Sequence, residues 1–233
     1  MKINQILTVA GQTVELVSIA LTLDRDAPGR GVIVAKSDAP LSGDILVEAG
    51  INGTVSKYFS GYIESCRRID AHQMRLAVRE ISGRLADRAP VALRNVTLRD
   101  AMTAVGAAVG LRLTGVGGWL DVAVPHFVNL GTGFEAVKLI GELSGLSDFR
   151  YTAFPAGFVH LGPTSQLKVA ARPLELAARW FTNVTSTGAD APFIPALRPN
   201  MRLVIDDAPE VVIAEIAMTA DAVRLKFATG EQQ

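Results

Sequence analysis

Apolar and polar positions alternate through most of the first eighty residues. Across residues 12–23, Val14, Leu16, Ser18 and Ala20 fall on one side of an extended chain, and Val17, Ile19, Leu21 and Leu23 on the other. Both sides are apolar, so the pattern predicts a strand covered on both faces. Residues 31–35, 44–49, 57–63 and 73–78 read as four further strands. Turn sequence separates them, at residues 24–30 with Pro28-Gly29 and at Gly50-Ile51-Asn52-Gly53. Five short strands at spacings of about ten residues predict a small barrel or sandwich.

The period then changes. Residues 84–94, with Pro90, form a connector. Thr97 is placed to cap a helix, Asp100 stands at the reciprocal position three residues on, and Leu98, Ala101, Met102, Val105 and Val109 form a stripe at helical spacing. Gly110 is the stop, and residues 111–113 return to strand. The same order recurs 35 residues later, with Thr132, Glu135, the stripe Ala136, Leu139, Ile140 and Leu143, the stop Gly145, and a strand at 149–152. Helical-hairpin arrays need two helices per repeat. Here Gly115, Gly117, Gly118 and Pro125 occupy the space between the copies, and two copies are too few for a solenoid. The centre therefore reads as a βαβ-like insert.

Beyond Pro163, residues 167–170 are a strand candidate, 175–181 a strand or short helix, and 182–191, rich in Thr, Gly and Ala, a loop. Residues 202–205, 211–219 and 222–228 form a final meander, with turns at Asp206-Asp207-Ala208-Pro209 and Ala220-Asp221. The fold class is α+β, mainly β. Residues 1–88 and 164–233 are the two β units, flanking an α/β insert at 89–163 with two short helices.

Composition narrows the function. The chain has 233 residues, 49% hydrophobic and 20% charged, with formal net charge zero. Zero net charge argues against a nucleic-acid binder working by bulk charge and suits a protein that packs into an assembly. The single cysteine, Cys66, excludes an internal disulfide and a Cys-based zinc cluster; it reads as a half-buried strand residue. Residues 3–10 are too weakly apolar for a signal peptide, and no run reaches the roughly 20 apolar residues of a membrane helix.

No catalytic signature emerges. His72, His126 and His160 lie in no metal-ligand spacing; His126 reads as a loop or strand residue and His160 as an outward-facing strand residue. Asp206-Asp207 are turn formers before they are cation ligands. Gly115-Val116-Gly117-Gly118 lacks the third glycine opening a helix that a dinucleotide fingerprint needs, and reads as a turn. Residues 64–100 hold eight arginines against five acids, interleaved as on a solvated strand face or a subunit contact. No catalytic, cofactor-binding or metal residue is assigned, and no cofactor is expected.

Three segments in order carry a resemblance. Phe59-Ser60-Gly61-Tyr62-Ile63 closes the first β unit, Thr97-Leu98-Arg99-Asp100-Ala101 opens the helix that ends in Gly110-Leu111, and Leu197-Arg198-Pro199-Asn200-Met201 leads into the final meander. This order resembles the tail or baseplate hub proteins of bacteriophages, including the late control protein D type. The chain departs from that pattern in Asn200, where glycine is common, and in leaving no room for a fused lysozyme or needle domain. The resemblance implies two tube-like β-barrels per chain and a homotrimeric ring of six barrels. That ring would link a six-fold tail tube or distal tail protein above to a three-fold fibre, spike or needle below, with DNA passing through its lumen. It further implies a structural, non-enzymatic virion protein at the tail tip, assembled in the host cytoplasm. A six-fold distal tail ring is the alternative structural reading. A secretin-type periplasmic module is a second class, which would require export, and a hydrolase ranks third.

Overall fold

The computed structural model describes residues 3–51, 53–163, 166, 173–206, 208–219 and 222–228. The chain divides into two compact units. Met1–Glu80 and Val169–Gln233 together make one, and Ile81–Lys168 makes the other.

The first unit begins with β1 (Ile3–Val9), β2 (Gln12–Val14), β3 (Leu16–Asp24), β4 (Arg30–Lys36), β5 (Asp44–Ile51), β6 (Thr54–Arg68) and β7 (Gln73–Glu80). After the middle unit it resumes, the numbering following chain order, with β13 (Leu174–Leu176), β14 (Thr182–Thr185), β15 (Gly188–Ala191), β16 (Arg202–Ile205), β17 (Val211–Thr219) and β18 (Val223–Phe227). These strands form one continuous sheet in the order β14-β15-β18-β17-β3-β4-β7-β6-β5-β1-β2, and β16, paired with β13, branches from β17. The two flanks contribute to one sheet, joined where β17 pairs antiparallel with β3 from Glu215↔Asp24 to Thr219↔Ala20.

Residues 12–23 are not one strand covered on both faces. The strand breaks at Glu15. β2 pairs with β1 through Leu7↔Val14, whereas β3 pairs with β4 and is shifted by a bulge between Leu16 and Ser18. The bulge reverses the facing of Leu16 and Val17 relative to a regular alternation. Ile19, Leu21 and Leu23 are buried, while Val17 is 45% exposed and Ser18 and Ala20 lie open. Residues 182–191 are not a loop: β14 and β15 form a hairpin there, and Gly188 to Ala191 complete the ladder against β18. The threonine-rich composition that reads as loop is also ordinary for an exposed strand. The strand candidate at 167–170 lies outside the described residues. One hydrophobic core, including Leu7, Leu21, Ile33, Val47, Phe59, Leu76, Leu203, Ile213 and Leu225, draws on both flanks.

The middle unit contains β8 (Val91–Thr97), α1 (Leu98–Ala108), β9 (Leu113–Thr114), β10 (Ala123–Asn129), α2 (Gly133–Ser144), β11 (Phe149–Phe154) and β12 (Phe158–Pro163). Both capping boxes form. Asp100 N–H donates to Thr97 Oγ1 while Thr97 N–H donates to the Asp100 carboxylate, and Glu135 and Thr132 do the same for α2. The two copies face each other: α1 packs on α2, β8 pairs antiparallel with β10, and β9 and β11 both flank β12. Each copy is strand–helix–strand, so the connector at 84–94 hides the start of β8. A second core of Leu85, Leu98, Ala101, Val105, Phe127, Ala136, Ile140 and Leu161 fills the unit.

Candidate assembly surface

The outer face of the first unit's sheet carries a pattern that its core does not require. Across five neighbouring strands, β17, β3, β4, β7 and β6, the register places Thr219, Ala20, Val32, Ala77 and Ser65 in one row. All five are small or β-branched and uncharged, and none is fully buried. The row on one side reads Ser18, Val34, Arg75 and Arg67; on the other it reads Ala217, Thr22, Arg30, Arg79 and Tyr62. Arginines therefore frame a neutral strip. Arg79 is neutralised by Glu64 at 2.9 Å, but Arg67 and Arg75 face each other directly across β6 and β7. Like charges placed opposite one another cost stability, so a countercharge brought by a neighbour would be favoured here.

A second feature joins the flanks. Arg198, from the segment Leu197-Arg198-Pro199-Asn200, lays its guanidinium 4.6 Å from the centre of the Tyr58 ring on β6. Its Nη1 donates to the Pro195 and Leu197 carbonyls at 2.9 and 2.6 Å, and Nη2 to the Lys57 carbonyl at 3.4 Å. Phe193 packs on the other part of Tyr58, with ring centroids 5.3 Å apart. Tyr58 is 2% exposed, and that burial, only partly opposed by the nearby Arg198, pushes its phenol up to about 12. Burial also lowers the Arg198 guanidinium from its ordinary value.

The motif residues have local reasons. A side chain at Gly61 would overlap the Arg79 carbonyl and press on the Phe59 ring, so close strand approach excludes anything larger. Asn200 sits at φ +69°, the left-handed region where glycine and asparagine are the tolerated residues, and its N–H donates to the Ile213 carbonyl at 2.8 Å. The substitution of asparagine for glycine therefore preserves the backbone.

The remaining sequence candidates scatter. His72 is exposed and bonded to Asp38 at 2.7 Å. His126 is exposed, opposite Arg94 on the β8–β10 ribbon. His160 is not outward-facing: it is 7% exposed, because β12 is the central strand of its three-stranded sheet. Cys66 is half-buried and its sulfur accepts from the Leu41 N–H at 3.4 Å. The glycine cluster is the turn expected, leading into a 3-10 turn at Gly118–Asp121. Asp206 adopts φ +48° in its turn, and Asp207 lies outside the described residues. The eight arginines of 64–100 divide evenly, Arg67, Arg68, Arg75 and Arg79 in one unit and Arg84, Arg88, Arg94 and Arg99 in the other. Among the described residues no three His, Cys, Asp or Glu cluster as a metal site would require, and no helix is long and apolar enough to cross a membrane. Sequence reasoning named Arg198 only within the segment that carries the resemblance, and missed its contact with Tyr58 and the neutral strip, since each depends on segments distant along the chain.

A 43 kDa tail protein from prophage MuSo2 of Shewanella oneidensis superposes with a TM-score of 0.72, covering 98% of both chains at 13% identity. The chain has the fold of bacteriophage tail proteins. A tail protein from Neisseria meningitidis superposes at 0.65 over 97% of this chain and 96% of its own, with 11% identity. An Escherichia coli component of the type VI secretion system, itself similar to T4 bacteriophage tail proteins, superposes at 0.64 over 97% of this chain and 77% of its own, with 13% identity. No family model matches the chain. In sequence, the chain is 21% identical over 201 residues to an uncharacterised 58.7 kDa protein of Haemophilus phage HP1, which matches 85% of this chain. The chain spans 38% of that relative's length.

Proposed function

We propose that the chain is a non-enzymatic structural component of a phage tail, a hub whose homotrimer links a six-fold tube to a three-fold tip and lines the passage for DNA. The full-length likeness to the MuSo2 tail protein, at a TM-score of 0.72, carries this reading. The strand pairing supports it. β2 and β3 are separated only by Glu15, yet one pairs with β1 and the other with β4. A strand bent at Glu15 would close β1, β5, β6, β7 and β4 into the first tube-like barrel. The second barrel would be built from β13 to β18, with β17 and β3 as the seam. Two such barrels per chain in a three-chain ring present six similar units, which matches a six-fold tube through a closed rotational symmetry.

The neutral strip framed by Arg30, Arg67 and Arg75 is the surface proposed to meet a neighbouring subunit. The tube or distal tail protein would bind on one side of the ring and a fibre, spike or needle on the other. The protein would assemble in the host cytoplasm and reside in the virion.

Native mass spectrometry with negative-stain imaging tests this. Three chains per ring are expected. Six chains would select the distal-ring alternative, and a stable monomer at high concentration would refute a self-assembling hub. Ala77→Glu and, separately, Val32→Glu should each dissolve the ring while leaving the circular dichroism spectrum intact.

A further inference from the structure

We propose that His160 is an acid-sensitive latch on the Trp119 turn, so that protonation of its imidazole displaces the indole and loosens the middle unit. This is independent of the assembly reading. His160 lies at the centre of β12, opposite Thr152 on β11 and Thr114 on β9. The side chain is 7% exposed, and its Nε2 has no hydrogen-bond partner among the described residues. The next residue on the same face is Gly162, and the indole of Trp119 lies beside it. A Cβ at Gly162 would lie 3.5 Å from Trp119 Cζ2, 3.6 Å from His160 Nε2 and 3.7 Å from Trp119 Nε1. Imidazole and indole edge thus both border the space beside one glycine.

The chemistry beside that glycine is one-sided. The indole nitrogen is a donor only, and it is committed to the Val116 carbonyl at 2.8 Å. The indole ring is held edge-on against Phe149, with centroids 5.3 Å apart. A proton on Nε2 therefore finds no acceptor in the indole. The charged groups on the elements around His160 offer little relief. On β11, Arg150 stands diagonal to it and carries the same sign, and Asp148 is drawn to Arg150 at 3.3 Å. At the 3-10 turn, Asp121 is paired with Arg99 at 2.8 Å. Arg112 precedes β9, and Arg84 lies in the 3-10 turn at Ile81–Ala86; both are cations. A protonated His160 must reach water, and the Trp119 turn, which borders the same glycine, is the element that would yield. That turn is short and built on Gly115, Gly117 and Gly118, so it can swing without breaking a regular ladder.

The direction of the titration agrees. Burial lowers the His160 imidazole below its ordinary value. The unfolded chain then binds the proton first, so stability is full above about pH 6.5 and falls as pH drops below it.

The chain has two tryptophans, so Trp180→Phe leaves Trp119 as the sole reporter. In that background, Trp119 emission and acrylamide quenching are followed from pH 7.5 to pH 4.5. A red shift and increased quenching are expected below pH 6.5, and both should vanish in His160→Gln and His160→Leu. Emission that stays constant across the range would overturn the proposal, as would a transition that survives in either variant. If one variant does not fold at pH 7.5, the other decides, and the parent must show the transition in every case.

Discussion

Asn129 offers a severe test of the account of the middle unit. It is 7% exposed at the end of β10, and its amide nitrogen donates to the carbonyls of Ala89, Thr132 and Gly131 at 2.7, 3.2 and 3.4 Å. Two of these acceptors are satisfied elsewhere: Gly131 O accepts from Ala89 N–H at 2.9 Å, and Thr132 O from Ala136 N–H at 3.1 Å. Asn129→Ala chiefly strands the Ala89 carbonyl, a cost of about 1–3 kcal/mol. Asn129→Asp keeps the shape but turns the donor into a charged oxygen facing three carbonyl oxygens. An uncompensated buried charge costs about 3–5 kcal/mol. The introduced carboxyl escapes by holding a proton, which lets it donate to Ala89 O, so its folded pKa is raised. A raised folded pKa contributes stability that is present below the unfolded value near 3.9 and lost as pH rises through the folded value. The penalty relative to the parent should therefore be larger at pH 7.5 than at pH 5. Urea unfolding read by Trp119 fluorescence in the Trp180→Phe background measures both variants at both pH values. Comparison at equal pH cancels the contribution of His160. An aspartate that costs no more than alanine, or a penalty that does not shrink at pH 5, would refute the reasoning.

Three further outcomes follow from single contacts. Thr97→Ala and Thr132→Ala should each destabilise the middle unit by about 1 kcal/mol in the same urea assay, because each removes the side-chain half of a capping box. Arg198→Met should destabilise the first unit by about 1.5–3 kcal/mol by circular dichroism, since the charged donor to the Pro195, Leu197 and Lys57 carbonyls is lost while the apolar stem is kept. In an ultraviolet titration of the three tyrosines, one should ionise only near pH 12 and disappear in Tyr58→Phe; because the folded state keeps that proton, the stability it confers is present below pH 10 and falls as pH climbs from 10 to about 12.

Local chemistry was legible in the sequence where the interacting groups are close along the chain. Thr97 with Asp100 and Thr132 with Glu135 are three residues apart, and the helices, caps and glycine stops form at those places. The meander of β16, β17 and β18 was legible for the same reason. β1 was not, since Ile3, Asn4, Gln5 and Ile6 alternate poorly and only pairing with β5 defines the strand. His160 was misread because alternation predicts which side of a strand a residue occupies, not what covers that side. Trp119, 41 positions earlier, borders the same glycine, Gly162, as the imidazole.

The outer face of β3, made of small uncharged residues, shows how a misreading can still carry information. Val32 and Ala77 sit between Ala20 and Ser65 in a row that no described residue of the chain covers fully, although their counterparts Ile33 and Leu76 on the inner face are wholly buried. A strand facing only water needs no second apolar face: alternation with polar residues suffices. Alanine and valine at successive strands, with arginines withdrawn to the flanking rows, leave room for close approach and keep desolvation cheap. The expectation of a strand covered on both sides fails for the single chain. Its physical premise is met once a second surface is laid on the row through Ala20, Val32 and Ala77. A charge introduced at Val32 or Ala77 is therefore the substitution that separates a solvent face, which would tolerate it, from a contact, which would not.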